Sequence, residues 1–203
     1  MHSTAARMAM LVALGSLFAV APAVSAEPKY VGLQDCGRCH KKELIGDQVS
    51  AWKKEKHSKA MEALRSDEAK KIAAERGLTV PPDQADECVR CHATAHGLET
   101  SQIFKKPLAI SDGVQCESCH GPGSDYRKKT AHAKSHEKGV AAGMWEPGKD
   151  EKICTDCHNA DSPTFDTAKG FDFEARKKEI EHPIPKEVKG RVLELEKEAR
   201  KAR

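Results

Sequence analysis

Aromatic side chains are scarce in this chain: two Trp, two Tyr and five Phe among 203 residues, or 4%. Charged residues make up 32%, and the mean hydropathy is -0.64. A core built only from these side chains would be thin for a domain of this length. The chain is therefore either partly disordered or filled by something other than protein. Long apolar runs are also missing after the first two dozen residues, so no later segment is suited to crossing a bilayer. The charge lacks a dominant sign. Formal net charge is +3, with Lys and Arg interleaved with Asp and Glu as on a solvated surface. This pattern does not point to nucleic-acid binding.

The chain opens with a targeting signal. Arg7 is the positive residue, Met8 to Val20 is apolar or small, and Val24-Ser25-Ala26 suits cleavage after Ala26. The alternative is an uncleaved anchor, but the apolar stretch is short and Pro22 interrupts its end. The reading is an exported, periplasmic protein. Residues 1–26 form a signal peptide, 27–185 a cofactor-binding domain, and 186–203 a charged helix or tail.

The eight cysteines decide what fills the core. They fall into four identical frames: Cys36-Gly37-Arg38-Cys39-His40, Cys88-Val89-Arg90-Cys91-His92, Cys116-Glu117-Ser118-Cys119-His120 and Cys154-Thr155-Asp156-Cys157-His158. Each reads C-x-x-C-H, the attachment signature of c-type haem. Two thiols add to the two vinyl groups at one edge of the porphyrin. Two intervening residues let the backbone reach both, and the next residue brings an imidazole under the iron. Two four-cysteine zinc sites or a disulfide framework would use the same cysteines. Neither accounts for a histidine after every pair, which has chance odds of roughly one in a hundred thousand at this histidine frequency. Four haem c groups, with their iron, supply the missing apolar volume. Their propionates add about −8 of charge, which leaves the assembled protein near neutral or mildly acidic.

Six histidines lie outside the frames. His2 belongs to the signal peptide. His57, His96, His132, His136 and His182 remain as sources of a second axial ligand. Asp47 to Leu64 reads as a helix on which His57, Ala60, Met61 and Leu64 share a face. His182 ends a second helical stretch, Phe173 to Glu181, that Pro183 stops. His132 and His136 lie four apart, so a helix would put them on one face, and only one of them easily serves a given iron. His96 follows His92 by four residues and cannot readily cross to the opposite side of the same ring; it reads as surface or pocket lining.

Longer stretches are more specific than the frames. They include Tyr30-Val31-Gly32, Ser50-Ala51-Trp52 through His57-Ser58-Lys59-Ala60-Met61, the run Gly113-Val114-Gln115-Cys116-Glu117-Ser118-Cys119-His120-Gly121-Pro122-Gly123, Ser162-Pro163-Thr164-Phe165 and Ile180-Glu181-His182-Pro183. On these the chain resembles the cytochrome c-554 family of tetrahaem cytochromes, from Tyr30 to about Pro185. The resemblance implies a mostly α fold of helices and loops wrapped around four closely packed haems. In the best-known member, electrons arrive from hydroxylamine oxidoreductase, three haems carry two histidines, and the second haem is open on one face. Carried over, His57 and His182 match distal ligands and His132 matches more loosely. After the second frame this chain reads Ala93-Thr94-Ala95-His96-Gly97 where a glycine-rich turn is common in the family.

The functional expectation is electron transfer between redox partner proteins, with the cysteines as attachment points and His40, His92, His120, His158, His57, His182 and His132 as iron ligands. It is an electron carrier rather than an enzyme. The alternative is reduction of a small nitrogen species, such as nitric oxide, at one open haem.

Overall fold

Short helices follow directly from local punctuation in the sequence. In the computed structural model, which describes residues 27–201 except residue 107, the first is α1 (Leu33–His40). It is followed by α2 (Gln48–Lys54), α3 (Ala60–Ala63), α4 (Asp67–Glu75) and α5 (Asp86–His92). Next come α6 (Cys116–His120), α7 (His136–Ala141), α8 (Lys152–Thr155), α9 (Phe173–Ile180) and α10 (Val192–Lys201). Side-chain caps explain several starts. Ser66 accepts from the Ala69 amide, Ser135 from Lys138 and Asp172 from Ala175, each satisfying a donor that the first turn cannot pair. Among the described residues there are no strands; one isolated parallel bridge joins Tyr30 to Ile103. The expected mostly α architecture is therefore what is found. The signal-peptide reading falls outside the described residues.

Two helical expectations need correction. Asp47 to Leu64 is not one helix. Glu55 is extended (φ −90°, ψ 161°), a 3₁₀ turn covers His57–Lys59, and helix resumes only at Ala60. The Ser58 hydroxyl donates to the Glu55 carbonyl at 2.8 Å, a local bond that competes with the helical ladder. His132 and His136 do not share a helical face either. Ser135 is fully extended (φ −162°, ψ 159°) and caps α7, so His132 stays in the preceding turns while His136 opens the helix.

The interior is as thin as the composition implies. Buried apolar residues include Ile45, Val49, Met61, Leu64 and Val89, but several of the rest are alanines: Ala73, Ala85, Ala93 and Ala131. The most deeply buried large side chains are polar, Gln115 at 2% exposure and Glu117 at 1%. Met61, Leu64, Val89 and Ala93 form one apolar cluster, with Cys88 packed against it.

Candidate haem-binding site

Each frame lies on or beside a short helix: the first on α1, the second on α5, the third on α6, and the fourth on α8 and the turn after it. One helical turn places both cysteines and the following histidine along one side. No disulfide joins any of the eight cysteines.

Tertiary packing sorts the frames into neighbours. The Cys36 and Cys116 thiols are within hydrogen-bonding reach of each other, and so are those of Cys91 and Cys157. The first frame therefore lies beside the third, and the second beside the fourth. Cys119 senses the charge of Cys154, which links third to fourth, and its thiol is pushed up to about 11 chiefly by burial. Among the described residues, no three or more His, Cys, Asp or Glu side chains gather as a bare metal ion would need. That speaks against the zinc alternative.

Histidine rings come together in pairs, one from a frame and one from elsewhere. His40 faces His132 at 5.9 Å between centroids, nearly parallel at 16°. His158 faces His57 at 5.9 Å, and His120 faces His182 at 6.2 Å. Two imidazoles on opposite sides of one metal, with nitrogens about 2.0 Å from it, have centroids about 6 Å apart. No such histidine pair involves His92 among the described residues.

The hydrogen bonds of these rings separate two kinds of histidine. His40 bonds through Nδ1 to Gln48 Oε1 at 3.0 Å, His92 to the Ala60 carbonyl at 2.7 Å, His132 to the Tyr126 carbonyl and His182 to the Ile180 carbonyl at 2.8 Å. In each the Nδ1–H donates, which fixes the ring and leaves Nε2 as a free lone pair suited to a metal. His96 and His136 differ. Their Nε2 atoms are taken by surface carboxylates, Asp86 at 3.2 Å and Glu146 at 2.8 Å. Of the two histidines left open by the sequence, His132 sits opposite a frame histidine and His136 sits on a surface ion pair.

Burial favours the neutral form, the one that binds iron, in four of the rings. It pulls His120 down to about 4, helped by the nearby His182, His40 and His132, and it lowers His57, His132 and His158 as well. Two buried donors have no protein partner: Gln115 Nε2 and Arg127 Nε. Orphan donors, a thin core and facing imidazoles all fit a bulky prosthetic group with acceptor substituents better than a protein-only interior.

The family model for cytochrome c554 and c-prime matches residues 35–121. Cytochrome c-554 of Nitrosomonas europaea is 32% identical over 147 residues, 66% of this chain and 60% of that protein. Over these stretches the chain is similar to the cytochrome c-554 family. The reduced-state structure of cytochrome c554 from Nitrosomonas europaea aligns with a TM-score of 0.54 at 26% identity, covering 86% of this chain and 98% of that one. The sequence match spans about 60% of the length of the curated relative.

Several residues around the frames were not visible as functional in the sequence. Gln48 orients His40, the Ala60 carbonyl orients His92, and Tyr126 supplies a carbonyl for His132. Thr94 accepts from the Gln115 amide at 2.7 Å and shares a 2.6 Å bond with Ser118, tying the segment after the second frame to the third. These are backbone or small polar contacts between distant segments, and no periodicity marks them. The Gly121-Pro122-Gly123 run was the one visible signal. A Cβ on Gly121 would sit 2.8 Å from the Trp145 ring, and one on Gly123 would meet Glu117 at 3.1 Å.

Proposed function

We propose that this chain is a periplasmic electron carrier with four covalent haem c groups, held by Cys36 and Cys39, Cys88 and Cys91, Cys116 and Cys119, and Cys154 and Cys157. The observation that carries this reading is the set of three histidine pairs about 6 Å apart, each with one member from a Cys-x-x-Cys-His frame. Haem iron supplies reversible one-electron exchange, and a second histidine ligand leaves it no coordination site for other chemistry. His40, His92, His120 and His158 are the proximal ligands; His132, His182 and His57 are the distal ligands of the first, third and fourth sites. Their carbonyl and amide partners hold the rings in place through the redox cycle. The contacts between frames support an order of exchange of first, third, fourth, second.

Donor and acceptor are redox proteins that dock at the surface, as expected for a carrier. Among the described residues no helix is long and apolar enough to cross a membrane. Export rests on the N-terminal signal together with the haem chemistry, since thioether attachment takes place outside the cytoplasm.

One observation favours a second reading. His92 has its Nδ1 fixed but no histidine opposite, and an apolar cluster of Met61, Leu64, Val89 and Ala93 adjoins its frame. Such surroundings would admit a small neutral ligand such as nitric oxide to a haem held by Cys88, Cys91 and His92, with the electrons for its reduction supplied by the redox partner through the other haem sites.

Mass spectrometry of the exported protein tests the main reading. The expected mass is the chain from about Glu27 plus four haems, and fewer haems or bound zinc would overturn it. Titration of the reduced protein with nitric oxide tests the second reading. One equivalent per chain supports an open second site, and no binding removes it.

A further inference from the structure

Glu117 lies between the two cysteines of the third frame, yet its carboxylate bonds outside that frame. It accepts from the Val31 amide with both oxygens, at 2.9 and 3.1 Å, from Gly32 at 2.7 Å and from Gly123 at 2.7 Å. Two residues away, Gln115 Oε1 accepts from the Leu33 amide at 2.8 Å. Leu33 is the first residue of α1, the helix that carries Cys36, Cys39 and His40. That helix begins at Gly32 (φ +81°) and has no side-chain cap of its own. The amides at this partly buried helix entry would otherwise lack a protein acceptor. The third frame thus caps the helix of the first, across more than eighty residues of sequence.

Every contact to this carboxylate comes from an amide N–H, so it acts as an acceptor at both oxygens, as an ionised carboxylate does. The pocket has room for it because residue 123 is glycine: a Cβ there would meet Val31 at 3.0 Å and Glu117 at 3.1 Å. The helices that carry Cys36 and Cys116 pack against each other, and the Glu117 charge acts on both sulfurs. Burial pushes the Glu117 carboxyl up and the amides of Gly32, Val31 and Gly123 pull it back toward the charged form; Asp35, the other carboxylate acting on this site, is paired with Arg127 at 2.8 Å.

We propose that Glu117 is a positioning residue that clasps the first haem site to the third and sets a fixed negative charge beside both attachment points. The inference rests on the haem reading above. The clasp fixes the spacing of one neighbouring pair of sites. The charge favours the more positive, oxidised iron and so lowers the reduction potential of that pair. Coulomb interactions weaken with distance, so the second and fourth sites feel less of it.

The test compares mature wild-type protein with Glu117→Gln and Glu117→Asp by mass spectrometry and spectroelectrochemical titration. With four haems attached, Glu117→Gln is expected to move two of the four reduction steps to higher potential and leave two in place. Glu117→Asp, which keeps the charge, should return those two steps toward wild type. The proposal is overturned if no step moves, if all four move alike, or if the aspartate variant shifts as far as the glutamine one. If Glu117→Gln matures with fewer than four haems, hydrogen exchange in the wild-type protein decides. Slow exchange across residues 29–33 supports the clasp, and exchange as fast as in exposed loops overturns it. A wild-type protein with fewer than four haems would instead defeat the haem reading itself.

Discussion

The first and third frames meet through a buried polar clasp, whereas the second and fourth meet through a surface ion pair. On one side Glu117 and Gln115 are almost fully buried and take four backbone amides between them. On the other, Arg90 reaches Asp161 at 3.0 Å with both side chains at least half exposed, and Arg76 adds a bond to the Asp161 carbonyl at 3.1 Å. The histidines divide the same way. His40 and His120 both face a second histidine, whereas in the other half His158 does and His92 does not. A rigid, closed half suits passage of electrons alone. The half with the exposed link is the one that holds His92, which faces no second histidine among the described residues.

The largest effect is expected at the clasp. Glu117→Ala would leave the buried amide of Gly123 and the partly buried amides of Val31 and Gly32 without an acceptor. At about 1–3 kcal/mol per stranded donor, relieved in part by water, the loss is on the order of 3–5 kcal/mol. Denaturant unfolding of the mature protein would show it as a lower midpoint with a similar slope. A change under about 1 kcal/mol would mean the two halves are joined alike.

That clasp was invisible in the sequence, and the reason is physical. Glu117 occupies one of the x positions of a Cys-x-x-Cys-His frame, and two of its three partners are backbone amides 85 and 86 residues away, which carry no residue-type signal. The four Cys-x-x-Cys-His frames could be read directly, because their residues are neighbours along the chain. The distal histidines were legible only in part. His57 and His182 stood out through apolar spacing and a following proline. His132 could be told from His136 only once Ser135 was seen to break the helix and Glu146 to engage His136. The helix expected over residues 47–64 failed at Glu55, where a serine hydroxyl competes for the backbone, an effect that periodicity does not register.

Removing a distal histidine should have an effect confined to one site. His132→Ala, His182→Ala and His57→Ala are each expected to turn one low-spin haem high-spin while all four stay attached, as read by paramagnetic resonance and mass spectrometry. His136→Ala and His96→Ala should leave the spectra unchanged, since both rings sit in surface ion pairs. A spectral change in His136→Ala equal to that in His132→Ala would undo the assignment of the first site.

The smallest effect is expected at the surface link. Arg90→Ala should cost less than about 1 kcal/mol, and that cost should shrink further in high salt, because an exposed ion pair is screened and loses side-chain entropy on forming. Unfolding midpoints at low and high ionic strength would measure it. A loss matching that of Glu117→Ala would show that the second and fourth frames are held as firmly as the first and third.

The difference between the halves comes down to the count of closed sites, and Mössbauer spectroscopy of the oxidised, ⁵⁷Fe-enriched protein measures that count directly. Three low-spin ferric irons and one high-spin iron are expected, changing to two and two in His57→Ala. Four low-spin irons in the wild-type protein would contradict the account, because His92 would then have a sixth ligand opposite it.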